Sequence, residues 1–229
     1  MTGRILDLLS PSNENDRFYG VTIGTVTNTK DEEGLGRVKV KLPRISDTDE
    51  SYWARVLTPM AGKERGIYFL PEVDDEVLVA FDQGDVNFPY ILGGLWNGKD
   101  KPPATNDDGK NNKRLIKSRS GHQIILDDTK DAEKIIIQDS TGKNEIAIDS
   151  KNNSITIKVE KDFTIEAKGK INIKTSGGDI AIECNNLKIQ AKQNCDIQAN
   201  GNCKIEANSG MGIKCLAGVK INDGALEVT

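Results

Sequence analysis

The residues of this chain able to do chemistry are one histidine, four cysteines and a large set of carboxylates, and their spacing suits none of the usual sites. His122 stands alone, so a histidine-rich metal site cannot form within one chain. Three copies meeting on an axis could build one, but packing at the start of a repeat is the expectation. Cys184, Cys195, Cys203 and Cys215 are 11, 8 and 12 residues apart, which matches no C-x-x-C metal or redox pattern. A cytoplasmic product would keep them reduced. Gly34-Leu35-Gly36 looks like a phosphate loop, yet no helix follows to supply the anion-binding amides. It reads as a hairpin turn. A pair of carboxylates could serve as acid and base, but nothing in their spacing singles one out. The expected catalytic set is empty, as are the metal and cofactor sets.

Bulk properties narrow the classes further. The 229 residues suffice for one large or two small domains, and the formal charge is −4. Such a balance argues against general affinity for a phosphate backbone, which shows as a basic excess. Asp7 interrupts the apolar run of Met1–Leu9, so that run is not read as a secretory signal. No stretch reaches the roughly 18 apolar residues of a membrane span. The expectation is synthesis in the cytoplasm.

Composition breaks near residue 104. All seven prolines lie at or before Pro103, and ten of the eleven aromatic residues lie at or before Trp96. The first half alternates apolar and polar residues in Val21–Val26 and Gly36–Leu42, the period of half-buried strands. Asp31–Gly36 supplies turn chemistry between them, which predicts a hairpin. Tyr52–Val56, Gly66–Leu70, Glu76–Phe81 and Pro89–Gly94 predict further strands, with Pro43, Pro71 and Pro89 at strand ends. Short strands with Gly/Pro turns predict a small closed barrel of the OB type. Ile5–Leu9 reads as a short helix or arm. Residues 97–114 are polar connector with little to bury.

After the connector the chain repeats. Apolar pairs at i and i+2 recur as Ile155/Ile157, Phe163/Ile165, Ile171/Ile173, Ile180/Ile182, Leu187/Ile189, Cys195/Ile197, Cys203/Ile205, Met211/Ile213, Val219/Ile221 and Leu226/Val228. Second members are spaced 8, 8, 9, 7, 8, 8, 8, 8 and 7 residues apart. Polar residues and glycines fill the intervals, so each unit reads as a short strand and a tight turn. Ile124/Leu126, Ile135/Ile137 and Ile146/Ile148 repeat upstream at a step of 11 with longer turns.

An eight-residue unit with two or three inward positions cannot enclose a core alone, and one repeat cannot bury its apolar face without neighbours. Three copies, each giving one wall per layer, would close a triangular prism. Roughly 20 inward side chains per copy, at about 1.5–3 kcal/mol each, would be buried only there. Ile157, Ile165, Ile173, Ile182, Ile189, Ile197, Ile205, Ile213 and Ile221 form the expected trimer core. The four cysteines share the inward parity and are expected as small buried hydrophobes. At about 4.8 Å per layer, ten octads make a needle on the order of 50 Å. The fold class is thus all-β: an N-terminal OB-fold barrel followed by an intertwined triple-stranded β-helix in a homotrimeric prism. The divisions are 1–17 arm, 18–96 barrel collar, 97–114 linker, 115–153 neck and 154–229 octad shaft.

Gly36-Arg-Val-Lys-Val-Lys-Leu-Pro43, Trp53-Ala-Arg-Val56, Phe69-Leu-Pro-Glu-Val-Asp-Asp-Glu-Val-Leu-Val-Ala-Phe81, Pro89-Tyr-Ile-Leu-Gly-Gly-Leu-Trp-Asn-Gly98, Ser120-Gly-His-Gln-Ile-Ile-Leu-Asp-Asp-Thr129 and the octads carry a resemblance. The chain resembles phage baseplate assembly protein V and the spike half of valine–glycine repeat proteins of type VI secretion. The resemblance implies a central spike of a contractile machine, seated by its OB collar on a hub and driven through a target membrane by sheath contraction. The hub domain that precedes the collar in valine–glycine repeat proteins has no counterpart here, so the expected hub is a separate protein. The C-terminal residues lack the His-x-His of some phage tips. A PAAR-type tip protein is therefore expected on Ala225, Leu226, Glu227, Val228 and Thr229. Spikes of this kind that cut cell wall carry a lysozyme-like domain between collar and shaft, and the 97–114 interval is too short for one. The expected localisation is a phage tail or injection particle. Two alternatives from other classes are an OB-type nucleic-acid binder and a β-helical polysaccharide enzyme. Against the former stand the net charge and the placing of Trp53 and Tyr68 within apolar strands.

Overall fold

The structure is a computed structural model that describes residues 17–46, 48–214 and 216–217. The arm expected at Ile5–Leu9 lies outside them. The chain divides into two units, 1–164 and 165–229.

The first unit begins with a closed barrel. Its strands are β1 (Thr22–Asn28), β2 (Arg37–Lys41), β3 (Ala54–Val56), β6 (Glu76–Asp82) and β7 (Asp85–Gly94), joined in the order β1-β2-β3-β7-β6. β6 pairs back onto β1, so no barrel edge is left open. Period-two alternation puts Val26, Val38, Val40, Val77, Val79 and Ile91 inside, each fully buried, with Ala54, Leu42 and Phe81 beside them. Burying side chains of this size stabilises by about 1.5–3 kcal/mol apiece. Phe18 closes one end edge-on against Phe81, with ring centroids 5.7 Å apart. At Gly24 a Cβ would sit 3.1 Å from both Leu42 Cδ2 and Val79 Cγ2, so only glycine fits without displacing core atoms.

Two strand expectations are corrected. Gly66–Leu70 is not a strand: only Arg65–Gly66 is extended, as β5, in a small hairpin with β4 (Ala61–Gly62). The Ile67 amide donates back to the Met60 carbonyl (3.0 Å) and the Thr58 hydroxyl donates to the Ile67 carbonyl (2.6 Å). Those backbone groups are spent locally, and Pro71 has no N–H to offer. Pro89 lies inside β7 rather than at its start. Its ring sits beside a register shift, where Phe81 opposes Pro89 but Asp82 opposes Asp85, and a missing N–H is tolerated at such an irregularity.

Five further strands follow: β8 (Lys113–Lys117), β9 (Gln123–Asp127), β10 (Lys134–Gln138), β11 (Glu145–Asp149) and β12 (Ser154–Lys158). They form one antiparallel meander in sequence order. Because neighbouring strands are five residues long and paired end to end, the upstream pairs fall into register. Ile124 opposes Ile137, which opposes Ile146, which opposes Ile157; Leu126, Ile135, Ile148 and Ile155 form a second such row.

The second unit contains no strand among its described residues, and every one of them is exposed in the single chain. Among the described residues its octads form no strand ladder with one another.

Candidate functional site

The meander's two faces differ in how far their aliphatic side chains are exposed. One carries Ile116, Ile124, Leu126, Ile135, Ile137, Ile146, Ile148, Ile155 and Ile157, all of them exposed in the single chain. Exposure runs from 39% at Ile148 to 70% at Ile155. An uncovered aliphatic face of this extent is rare on a monomer and marks a binding surface. The hollow along it is lined by Phe69, Ile116, Ile124, Ile137, Ile146 and Ile157, among others.

The opposite face carries a half-buried central row, Leu115, Ile125, Ile136 and Ala147, rimmed by charged and polar residues. Lys113, Asp127, Lys134 and Asp149 stand in one cross-strand row. Lys134 Nζ lies 3.5 Å from Asp149 and Lys113 Nζ lies 4.0 Å from Asp127. Alternating signs directly across a sheet favour this register. Hydrogen bonds from Thr129 hold the Asp127 carboxyl below the usual range, and those from Asn152 do the same for Asp149. In the β10–β11 turn, Asp139 accepts from the Thr141 hydroxyl, the Asn144 side-chain amide and nearby backbone amides, and falls to about 2.

The residues singled out from the sequence fall as follows. His122 shares the parity of Ile124 and Leu126 and is exposed; its Nδ1 accepts from the Ser140 amide (3.2 Å). Cys184, Cys195 and Cys203 are free and exposed in the single chain, and Cys215 lies outside the described residues. No group of three or more metal-ligating side chains occurs among the described residues. Ile157, Ile165, Ile173, Ile182, Ile189, Ile197, Ile205 and Ile213 are all exposed, Ile197 at 75%. Ile221 and the expected tip seat, Ala225–Thr229, lie outside the described residues.

Gly34-Leu35-Gly36 is the hairpin loop joining β1 to β2, as its turn chemistry implied. Its amides do not await an anion. The Asp31 carboxylate accepts from the amides of Glu33, Leu35 and Arg37 at 3.1–3.3 Å and takes the Arg37 guanidinium at 2.7 and 2.9 Å. This set holds the Asp31 carboxyl far below the usual range, the Arg37 side chain being the largest cause. Gly36 has φ +69°, a left-handed conformation that L side chains rarely adopt.

Barrel aromatics are also spoken for or differently placed. Arg37 and Lys39 sit over the Trp53 ring, 5.7 and 5.3 Å from its centroid, and Arg55 lies 4.5 Å over Tyr90. Tyr68, expected within an apolar strand, is instead 78% exposed on an irregular loop. The Asp31 clasp and this exposed loop went unread in the sequence. An Asp–Arg spacing of six and an Ile-Tyr-Phe run carry no signal separating them from an ordinary turn and strand. Among the described residues no helix is long and apolar enough to cross a membrane.

A closed five-stranded OB-type barrel that leads into a sheet with one uncovered aliphatic face defines a class: an all-β module with an OB-type barrel at its head. Comparison with known proteins places it more closely. Residues 22–96 match the family of the type VI secretion system/phage-baseplate injector OB domain. The chain is 32% identical over 145 residues to the type VI secretion system spike protein VgrG3 of Vibrio cholerae, covering 53% of this chain and 14% of that protein. It is 30% identical over 125 residues to the spike protein VgrG2a of Pseudomonas aeruginosa, covering 49% and 15%. A V. cholerae protein named for actin cross-linking, VgrG1, is 36% identical over 94 residues, covering 38% and 9%. The chain spans between 9% and 15% of the length of these relatives. The resemblance to baseplate protein V and the VgrG spike proteins is thereby shown.

Proposed function

We propose that this chain is a structural subunit of a homotrimeric central spike, docked through its OB barrel on the hub of an injection machine and driven through a target envelope. One observation carries the proposal. Nine aliphatic side chains stand uncovered on one face of the meander, and the same pair pattern runs on in sequence through the octads. Water contact at so many isoleucines costs about 25 cal/mol per Å² of apolar area, which association would recover. Sister copies supply cover of matching length and repeat. Each wall of the prism would present its isoleucines to the other two, and the charged rows would face water.

A spike of this kind works mechanically. Its energy of assembly is spent on a dry, strand-paired core that does not open under load, and a nearly neutral exterior limits adhesion. The role is non-enzymatic; no pair of acid and base, nucleophile or metal is assigned. Native mass measurement on the purified assembly tests the proposal. A value three times 25.0 kDa is expected. A stable folded species at 25.0 kDa would overturn it.

A further inference from the structure

We infer that the loop between β5 and β6 seats Tyr68 and Phe69 on the apolar sheet face of a second copy of this chain. The inference rests on the self-assembly proposed above and adds a surface to it.

The loop is built to present these rings. At one end, the Thr58 hydroxyl and the Met60 carbonyl hold Ile67 through its carbonyl and amide. At the other, the Glu72 amide donates to Asp75 (2.8 Å), and the Glu72 carboxylate receives Arg119 from the β8–β9 turn at 2.7 Å. Backbone on both sides of Tyr68 and Phe69 is therefore pinned, while the rings are 78% and 66% exposed. Aromatic side chains bury on the order of 150–250 Å² each. Fixed aromatic anchors beside a dry patch are the usual centre of a protein interface, because little rotamer freedom is lost on binding.

The occupant follows from continuity and charge. Phe69 lines the same hollow as Ile116, Ile124, Ile137 and Ile146, so the loop is the barrel-side rim of the face that sister copies are proposed to cover. Met60, exposed and lining a hollow with Tyr68 and Phe69, extends the apolar surface on the barrel side of the loop. Glu72 and Arg119 at the loop base neutralise one another, and the charge that remains in the loop, on the exposed Asp74 and Asp75, is acidic and disfavours a nucleic acid. In the prism proposed above, each copy's inward sheet face meets its neighbours around the axis, and its barrel-side rim lies beside a neighbouring copy. The rim residues of one copy must then touch the next.

The test places a photo-crosslinking benzoylphenylalanine at Phe69 in the full chain, co-expressed with a differently tagged copy. A second preparation carries the same group at Ile137. Crosslinked species bearing both tags from both positions, with the position-69 links mapping to residues 113–163 of the other copy, are expected. Two-tag links from Ile137 alone, with position 69 linking only within its own chain, would overturn this inference and leave the self-assembly standing. Two-tag links from neither position would overturn the self-assembly as well. The double variant Tyr68→Ser, Phe69→Ser should keep the barrel's circular dichroism and lower the assembly's melting temperature by several degrees; an unchanged melting temperature would count against the inference.

Discussion

Ile137 lies directly across from Ile146 in the β10–β11 ladder, and both side chains stand on the uncovered face of the sheet. Ile124 flanks Ile137 on the other side. Neither β10 nor β11 is an edge strand, so a polar residue here has no easy path to water once the face is covered. The variant Ile137→Asp should therefore leave the barrel folded but release single chains. A buried charge without a partner costs about 3–5 kcal/mol, repeated in every copy. Sedimentation or native mass will show it, and a persisting trimer would mean that this face is not the contact.

Within the octads, position should matter more than composition. In the proposed trimer, Ile197→Asp would bring several carboxylates together in the interior, with desolvation that no partner offsets. Lys192→Asp, between two apolar pairs, should change stability by no more than about 0.5 kcal/mol. Heat resistance on a denaturing gel compares the two. Equal behaviour would refute the inward assignment of the isoleucines.

Thiol reactivity reports the same parity without any substitution. Cys195 and Cys203 are exposed in one chain but share the inward positions of the pair pattern. In the assembled spike they should resist a thiol reagent for hours, then react fully in denaturant. Rapid labelling of the native assembly would place them outside the core.

Acid should loosen the β10–β11 turn in a defined window. The Asp139 carboxyl is lowered from 3.8 to about 2, chiefly by the Thr141 hydroxyl and then by Asn144. A carboxyl depressed in the folded state contributes stability above its unfolded value, and that contribution is lost as pH falls through the folded one. The loss should therefore fall between about 3.8 and about 2. Asp139→Asn, which cannot titrate, should show a shallower decline of melting temperature across that window. A parallel decline would mean that the carboxylate contributes nothing there.

The barrel was legible because its strands alternate: Val38/Val40 and Val77/Val79/Phe81 declare an inward face before any coordinates are seen. The pairs Ile135/Ile137 and Ile146/Ile148 were likewise readable as one face, and their register bears this out. Ile67 and Phe69 show the same alternation yet belong to a loop, because local hydrogen bonds to Met60 and Thr58 outcompete a ladder. Period alone cannot reveal that competition. Nor could it reveal that Asp31 fills its own turn, since five donors converge on it only after the hairpin closes. Pro89 misled for a related reason: the register shift that accommodates it is a property of two strands, not one.

The meander over 113–158 pairs strictly with its sequence neighbours, and that fixes a kinetic order. Contacts between adjacent hairpins close short loops and form early, whereas pairings between chains wait on diffusion. Each copy should thus ready its own sheet in a step whose rate ignores concentration. If the copies assemble as proposed, docking should follow with a rate that rises with concentration, and the docked sheets should align the octads downstream. Refolding traces at two concentrations would separate the phases, and a single concentration-dependent phase would show that the sheet has no life of its own before the copies meet.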